Sequence, residues 1–166
     1  MSVRVRNTTK ALIINDNKIL MIKCQNSIGE MFCGLPSGTI YYELPGGGQN
    51  RYETLEEAVK RECFEETGYT VSVERLAAIY EEILMDEEFR AEWGEYAHVV
   101  HFLFVCNVNN EPAQLPSEKD IDMLGFEWVD MASLGCDFLL HPRIIRANLE
   151  WVLASENTLY LGSERT

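Results

Sequence analysis

Glu62, Glu65 and Glu66 place three carboxylates within a short helix-prone segment, with Arg61 beside them. Residues three and four apart share a helix face, so Glu62 neighbours both Glu65 and Glu66. Carboxylates gathered on one face repel each other unless a cation sits among them. The cation that suits an all-oxygen set is a hard divalent metal. The run LPGGG, residues 44–48, stands just before this segment. A metal-holding acidic helix after a glycine-rich loop points to phosphate chemistry. The competing reading is a solvated acidic face. That reading leaves the glycines and Arg61 at their spacings unaccounted for.

The elements that must position these groups are legible nearby. Thr54 and Glu57 form a capping box, and Leu55, Ala58 and Val59 start an apolar face. The spacing predicts a helix from about 55 to 66, ended by Gly68 in a positive-φ cap. Ile40 to Leu44 reads as a short strand leading into the glycines. Lys10 to Asn15 and Lys18 to Cys24 read as a hairpin around an Asn-Asp-Asn turn. Residues 25–39 read as a loop. Val71 to Leu84 reads as a strand, broken near Glu74 and Arg75. Residues 85–95 are acidic and read as a mobile loop. Tyr96 to Val108 is the strongest strand signal, and residues 109–123 form a second long loop. Leu124 to Val129 is a final strand. Pro142 opens a helix to about Ser155, with Ile145, Leu149 and Val152 on one stripe. The last ten or so residues read as loosely ordered. Strands interrupted by two helices give an α/β or α+β domain.

At 166 residues and 46% apolar composition, the chain is expected to fold as one domain over 1–166. Its formal charge is −13, from 14 Lys and Arg against 27 Asp and Glu. That excess disfavours nucleic acid as a partner, since phosphate attraction dominates such binding. A small anionic ligand meets the same repulsion, so its site needs local cations or a metal. MSVRVRNTTK lacks the apolar core of a signal peptide, and no apolar run is long enough to span a membrane. The five cysteines include no C-x-x-C pair and read as reduced thiols of a cytoplasmic protein. His98 and His101 are three apart on a strand and point to opposite faces, which argues against a metal pair. Phe89, Trp93 and Tyr96 read as core or loop anchors, with stacking on a nucleobase as the alternative. Arg51 and Lys60 read as solvent-facing.

From Gly47 the chain runs Gly, five residues, Glu53, seven residues, then Arg61-Glu62-Cys63, one residue, Glu65-Glu66, one residue, and Gly68-Tyr69. This resembles the Nudix box, G-x5-E-x7-R-E-U-x-E-E-x-G-U with U aliphatic, over residues 47–69. All seven fixed positions match. The departures, Cys63 and Tyr69, fall at U positions and remove no chemical group. The resemblance, to the MutT-like Nudix hydrolases, implies a mixed β-sheet packed between helices over about residues 8–155. It implies Mg²⁺-dependent hydrolysis, with Mn²⁺ as a substitute, of a nucleoside diphosphate linked to another moiety.

Carried over residue by residue, the resemblance implies Glu62, Glu65 and Glu66 as metal ligands, one of them serving instead as general base. The Gly46 carbonyl adds a ligand. Arg61 and Glu53 orient the carboxylates, Arg61 through an i,i+4 contact to Glu65 and a fork against Glu53. Glu118, before the final strand, completes the metal site or acts as base, with Glu95 as its rival. The family's ADP-ribose hydrolases tend to carry a proline 15 or 16 residues past the box, where this chain has Leu84 and Met85. That lowers the expectation for ADP-ribose and leaves nucleoside triphosphates and nucleotide sugars open. Pocket residues are expected in 25–43 and 80–95. The alternatives are a non-catalytic nucleotide-binding regulatory domain and an isomerase on the same fold. A homodimer is common in the family.

Overall fold

Asp16 and Asn17 turn the chain between β1 (Arg6–Asn15) and β2 (Lys18–Gln25). Both have positive φ, 48° and 61°, the mirror-image turn that matches the twist of a two-residue hairpin. The computed structural model describes residues 4–32, 34–109, 122–135 and 137–166. Among them β3 (Ile40–Glu43), β4 (Val71–Ile83), β5 (His98–Val108), β6 (Met123–Asp130) and β7 (Leu159–Arg165) join the hairpin in a seven-stranded sheet. The order is β3-β2-β1-β5-β4-β7, with β6 also paired to β2. The sheet is mixed: β1 runs parallel to β5 and β7 parallel to β4.

Strand alternation divides the apolar side chains between two faces. Ala11, Ile13 and Leu20 pack with Val59 and Cys63 of α1 (Leu55–Thr67). Leu12, Met21 and Leu103 pack with Ile145, Leu149 and Val152 of a later helix, Arg143–Ala154. The sheet thus lies between helices, as expected for an α/β domain. Each fully buried aliphatic side chain contributes roughly 1.5–3 kcal/mol.

Two segments depart from their sequence reading. Residues 85–95 are not a bare loop. Asp86 caps a short helix, α2 (Glu87–Glu92), by accepting from the Phe89 amide at 2.8 Å. Phe89 then buries itself against Leu84 and Ala97, and a short 3-10 turn covers Gly94–Tyr96. The chain end is not loose either, because β7 pairs with β4 from Leu159 onward. The expected break in β4 is present as a register shift between Val73 and Arg75. The later helix, Arg143–Ala154, is α3. Cys24, Cys63 and Cys106 are free and buried. Glu118 lies outside the described residues.

Candidate active site

The capping box at Thr54 and Glu57 and the left-handed cap at Gly68 bound α1. The helix therefore starts and stops where Arg61 and the three glutamates face the glycine loop. That loop is zipped to β1 by backbone hydrogen bonds, Thr9 N–H to the Gly47 carbonyl at 2.9 Å and Gln49 N–H to the Asn7 carbonyl at 3.1 Å. Each glycine leaves room for a different neighbour. A Cβ on Gly46 would stand 2.0 Å from the Thr9 carbonyl, and Gly46 has φ 139°. A Cβ on Gly47 would meet Glu62 Oε2 at 2.6 Å. Only glycine fits such close approaches.

Arg61 gathers the box. Its Nε and Nη2 fork onto Glu53 at 2.7 and 2.9 Å. Its Nη1 donates to Glu62 Oε1 at 2.8 Å and Glu65 Oε2 at 2.9 Å, and Nη2 also reaches the Gly48 carbonyl at 3.0 Å. Both contacts expected of Arg61 are present. Its hydrogen bonds hold the Glu53 carboxyl below the ordinary carboxylate range. Burial pushes Glu62 up, outweighing the neighbouring guanidinium.

Glu66 stands apart from Arg61. Its Oε2 accepts from the Gly46 amide at 2.8 Å. Burial raises its pKa to about 8, against the pull of Lys10. Lys10 is itself buried and donates to Glu43 Oε2 at 2.7 Å and to the Gly46 carbonyl at 3.2 Å. The Gly46 carbonyl, expected as a metal ligand, is here a partner of an ammonium group.

A cavity of about 340 Å³ opens beside this helix end. Gly46, Gly47, Gly48 and Glu66 line it together with Phe32, Tyr41, Trp93 and Tyr96. Buried Glu82 and His101 also line it, with His141. Glu82 lies 3.3 Å from a ring nitrogen of each histidine. His101 Nδ1 meets Thr8 Oγ1 at 2.7 Å, and its ring stacks on Tyr80 at 4.4 Å. This cluster was not singled out from the sequence. Its members come from four distant segments, and only His101 carried any signal. His98 points the other way, to Glu81, as the strand alternation requires. Glu95 pairs with Arg6 at 3.6 Å.

The NUDIX domain model matches residues 5–152. The chain belongs to the Nudix hydrolase family. It is 31% identical to an ADP-ribose pyrophosphatase of Methanocaldococcus jannaschii over 141 residues, 84% of this chain and 70% of that protein. Among solved structures, a MutT protein from Bacillus halodurans superposes with a TM-score of 0.65 at 22% identity, covering 97% of this chain and 90% of that one. An ADP-ribose pyrophosphatase from Streptococcus suis gives 0.60 at 20% identity, covering 95% and 99%. Nudix hydrolases generally use divalent metals and cleave pyrophosphate bonds.

The donor set here suits such an ion, being made of oxygens alone. Arg61 takes one oxygen each of Glu62 and Glu65, and the Gly46 amide takes one oxygen of Glu66. Among the described residues, no three His, Cys, Asp or Glu side chains stand close enough to hold a metal as they are. Mg²⁺ does not need such a cage, since it keeps several waters and takes few protein carboxylates.

Proposed function

We propose that this Nudix hydrolase uses Mg²⁺, with Mn²⁺ as a substitute, to hydrolyse the pyrophosphate of a nucleoside diphosphate linked to another moiety. One observation carries the reading. The glutamate-bearing helix end and an aromatic-walled cavity are parts of one space. A diphosphate placed at Gly46–Gly48 would leave its nucleoside among Phe32, Tyr41 and Trp93. Aromatic faces accept a base by stacking.

In this reading Glu62, Glu65 and Glu66 hold the ion, and one of them serves as general base. Arg61 and Glu53 orient them. When bound, a divalent ion neutralises charge on the phosphate oxygens and lowers the pKa of water. The burial that raises Glu62 and Glu66 is a cost that a cation relieves. Glu118 remains a candidate for the base.

The name of the archaeal relative supports ADP-ribose as the first substrate to try. Leu84 and Met85, where ADP-ribose hydrolases tend to carry proline, argue for including nucleotide sugars and nucleoside triphosphates. The test is a hydrolysis screen over these classes with Mg²⁺ and Mn²⁺, using wild type, Glu65→Gln and Glu66→Gln. The expected result is turnover by wild type and a loss of at least about 100-fold in the variants. Variants that match wild type would overturn the assignment. Metal-dependent binding without turnover would favour a non-catalytic role.

A further inference from the structure

Two Lys or Arg side chains line the cavity among the described residues, Lys10 and Arg6. Lys10 is committed to Glu43 and the Gly46 carbonyl. Arg6 is differently placed. Its guanidinium lies over the Tyr96 ring, 4.6 Å from the centroid. Among the described residues its one ion pair, to Glu95, is 3.6 Å long, and that carboxylate is 71% exposed. Such a pair is weak in water. Among the described residues no side chain or carbonyl takes a hydrogen bond from Arg6. The planar fork is held in place by an aromatic face while its donors stay available. That is the arrangement that recognises phosphate oxygens.

Gly48 gives an independent indication. Its φ lies outside the left-handed region, so its backbone would accept a side chain. A Cβ there would nevertheless stand 2.5 Å from Arg6 Nη2 and 3.0 Å from its Cζ. Gly48 is not a fixed position of the Nudix box. Its neighbour Gly47 backs onto Glu62 in the same way. The two adjacent glycines thus bring an anion and a cation against one short stretch of loop. The bridge between Thr8 and Gly48 ties that stretch to the strand carrying Arg6.

We infer that Arg6 binds a phosphate group of the substrate directly, with Tyr96 as its support and Gly48 as the residue that admits it. This rests on the diphosphate reading of the site. Glu95 then serves Arg6 rather than a metal. In a chain of charge −13, such a cation offsets the general repulsion of an anionic substrate.

The test compares wild type with Arg6→Ala, Arg6→Lys, Gly48→Ala, Tyr96→Leu and the Arg6→Ala/Gly48→Ala double variant. In steady-state hydrolysis Arg6→Ala raises KM about 10- to 100-fold and leaves kcat within a few-fold. Arg6→Lys recovers part of the loss. Tyr96→Leu gives a smaller rise, about 2- to 5-fold. Gly48→Ala moves KM in the same direction, and the double variant is no worse than Arg6→Ala alone. Additive effects would overturn the role given to Gly48, and an unchanged KM in Arg6→Ala would overturn the proposal as a whole. Calorimetric titration with inorganic pyrophosphate separates the two readings. If wild type hydrolyses no nucleotide, the reaction assignment falls. Weaker pyrophosphate binding by Arg6→Ala than by wild type still supports Arg6, and equal or absent binding in both overturns it.

Discussion

Arg61 sets a single positive charge among three carboxylates, since Glu53, Glu62 and Glu65 all share its guanidinium. Arg61→Ala leaves those carboxylates facing one another. It is expected to lose about 2 kcal/mol, measured by urea unfolding without metal, and to lose activity. Arg61→Lys keeps the charge but not the fork, so it should recover stability better than activity. The buried Glu82 cluster gives a pH prediction. Burial raises Glu82, but His141 and His101 outweigh it and hold the carboxyl below its ordinary value of 4.5. Burial lowers His101 below 6.5. Both folded-state values lie below the unfolded ones, so the unfolded chain binds more protons in acid. The cluster's contribution to stability is therefore full above about pH 6.5 and falls as the pH drops, first through His101 and then through Glu82. Glu66 and Glu62, raised by burial, act in the opposite sense in both proteins, so the test is a comparison: the fall in urea midpoint from pH 5.5 to 4 should be smaller in Glu82→Gln than in wild type. The box was legible because its residues sit at fixed spacing along one helix and one loop. Arg6, Glu82, His101 and His141 were not. The sheet register brings Arg6, Glu82 and His101 together, the bridge of Leu140 to Tyr42 adds His141, and nothing local in the chain announces it.

At the scale of elements, α1 was readable almost to the residue. Its signals are stereochemical, namely a capping box at Thr54 and a left-handed Gly68. Thr54→Ala should lower stability by about 1 kcal/mol, read as a shifted urea midpoint with an unchanged m-value. Its kcat should be unaffected, because Thr54 touches none of the glutamates at the cavity. The acidic stretch 85–95 misled because charge alone resembles a loop. The available signal was Asp86 three residues before Phe89, a cap followed by an anchor. Phe89→Ala should cost about 3 kcal/mol through the emptied space. It should also raise KM, since Trp93 and Tyr96 belong to the same packed segment that walls the cavity. A KM equal to that of wild type, measured well below the variant's melting temperature, would detach that segment from substrate binding. The β7 pairing left no local trace, because a parallel strand finds its partner only after the rest of the sheet exists.

Over the whole molecule, the charge of −13 and the anionic substrate oppose each other. Most of that charge lies on the surface, where salt screens it, and the Debye length falls from about 30 Å at 0.01 M to about 8 Å at 0.15 M. Glu62, Glu65, Glu66, Lys10 and Arg6 act across a few ångströms and are partly or wholly buried, so salt screens them less. Raising the ionic strength should therefore remove the distant repulsion first. At saturating Mg²⁺, kcat/KM should rise over this range, the reverse of the trend for a cationic enzyme with an anionic substrate. The saturating metal matters, because salt also weakens attraction of the ion to the acidic site. A falling kcat/KM would show instead that the local cations set the approach of substrate. In that case Arg6→Ala should abolish the salt dependence. Measuring both proteins across the same salt series distinguishes a repulsive surface from an attractive site.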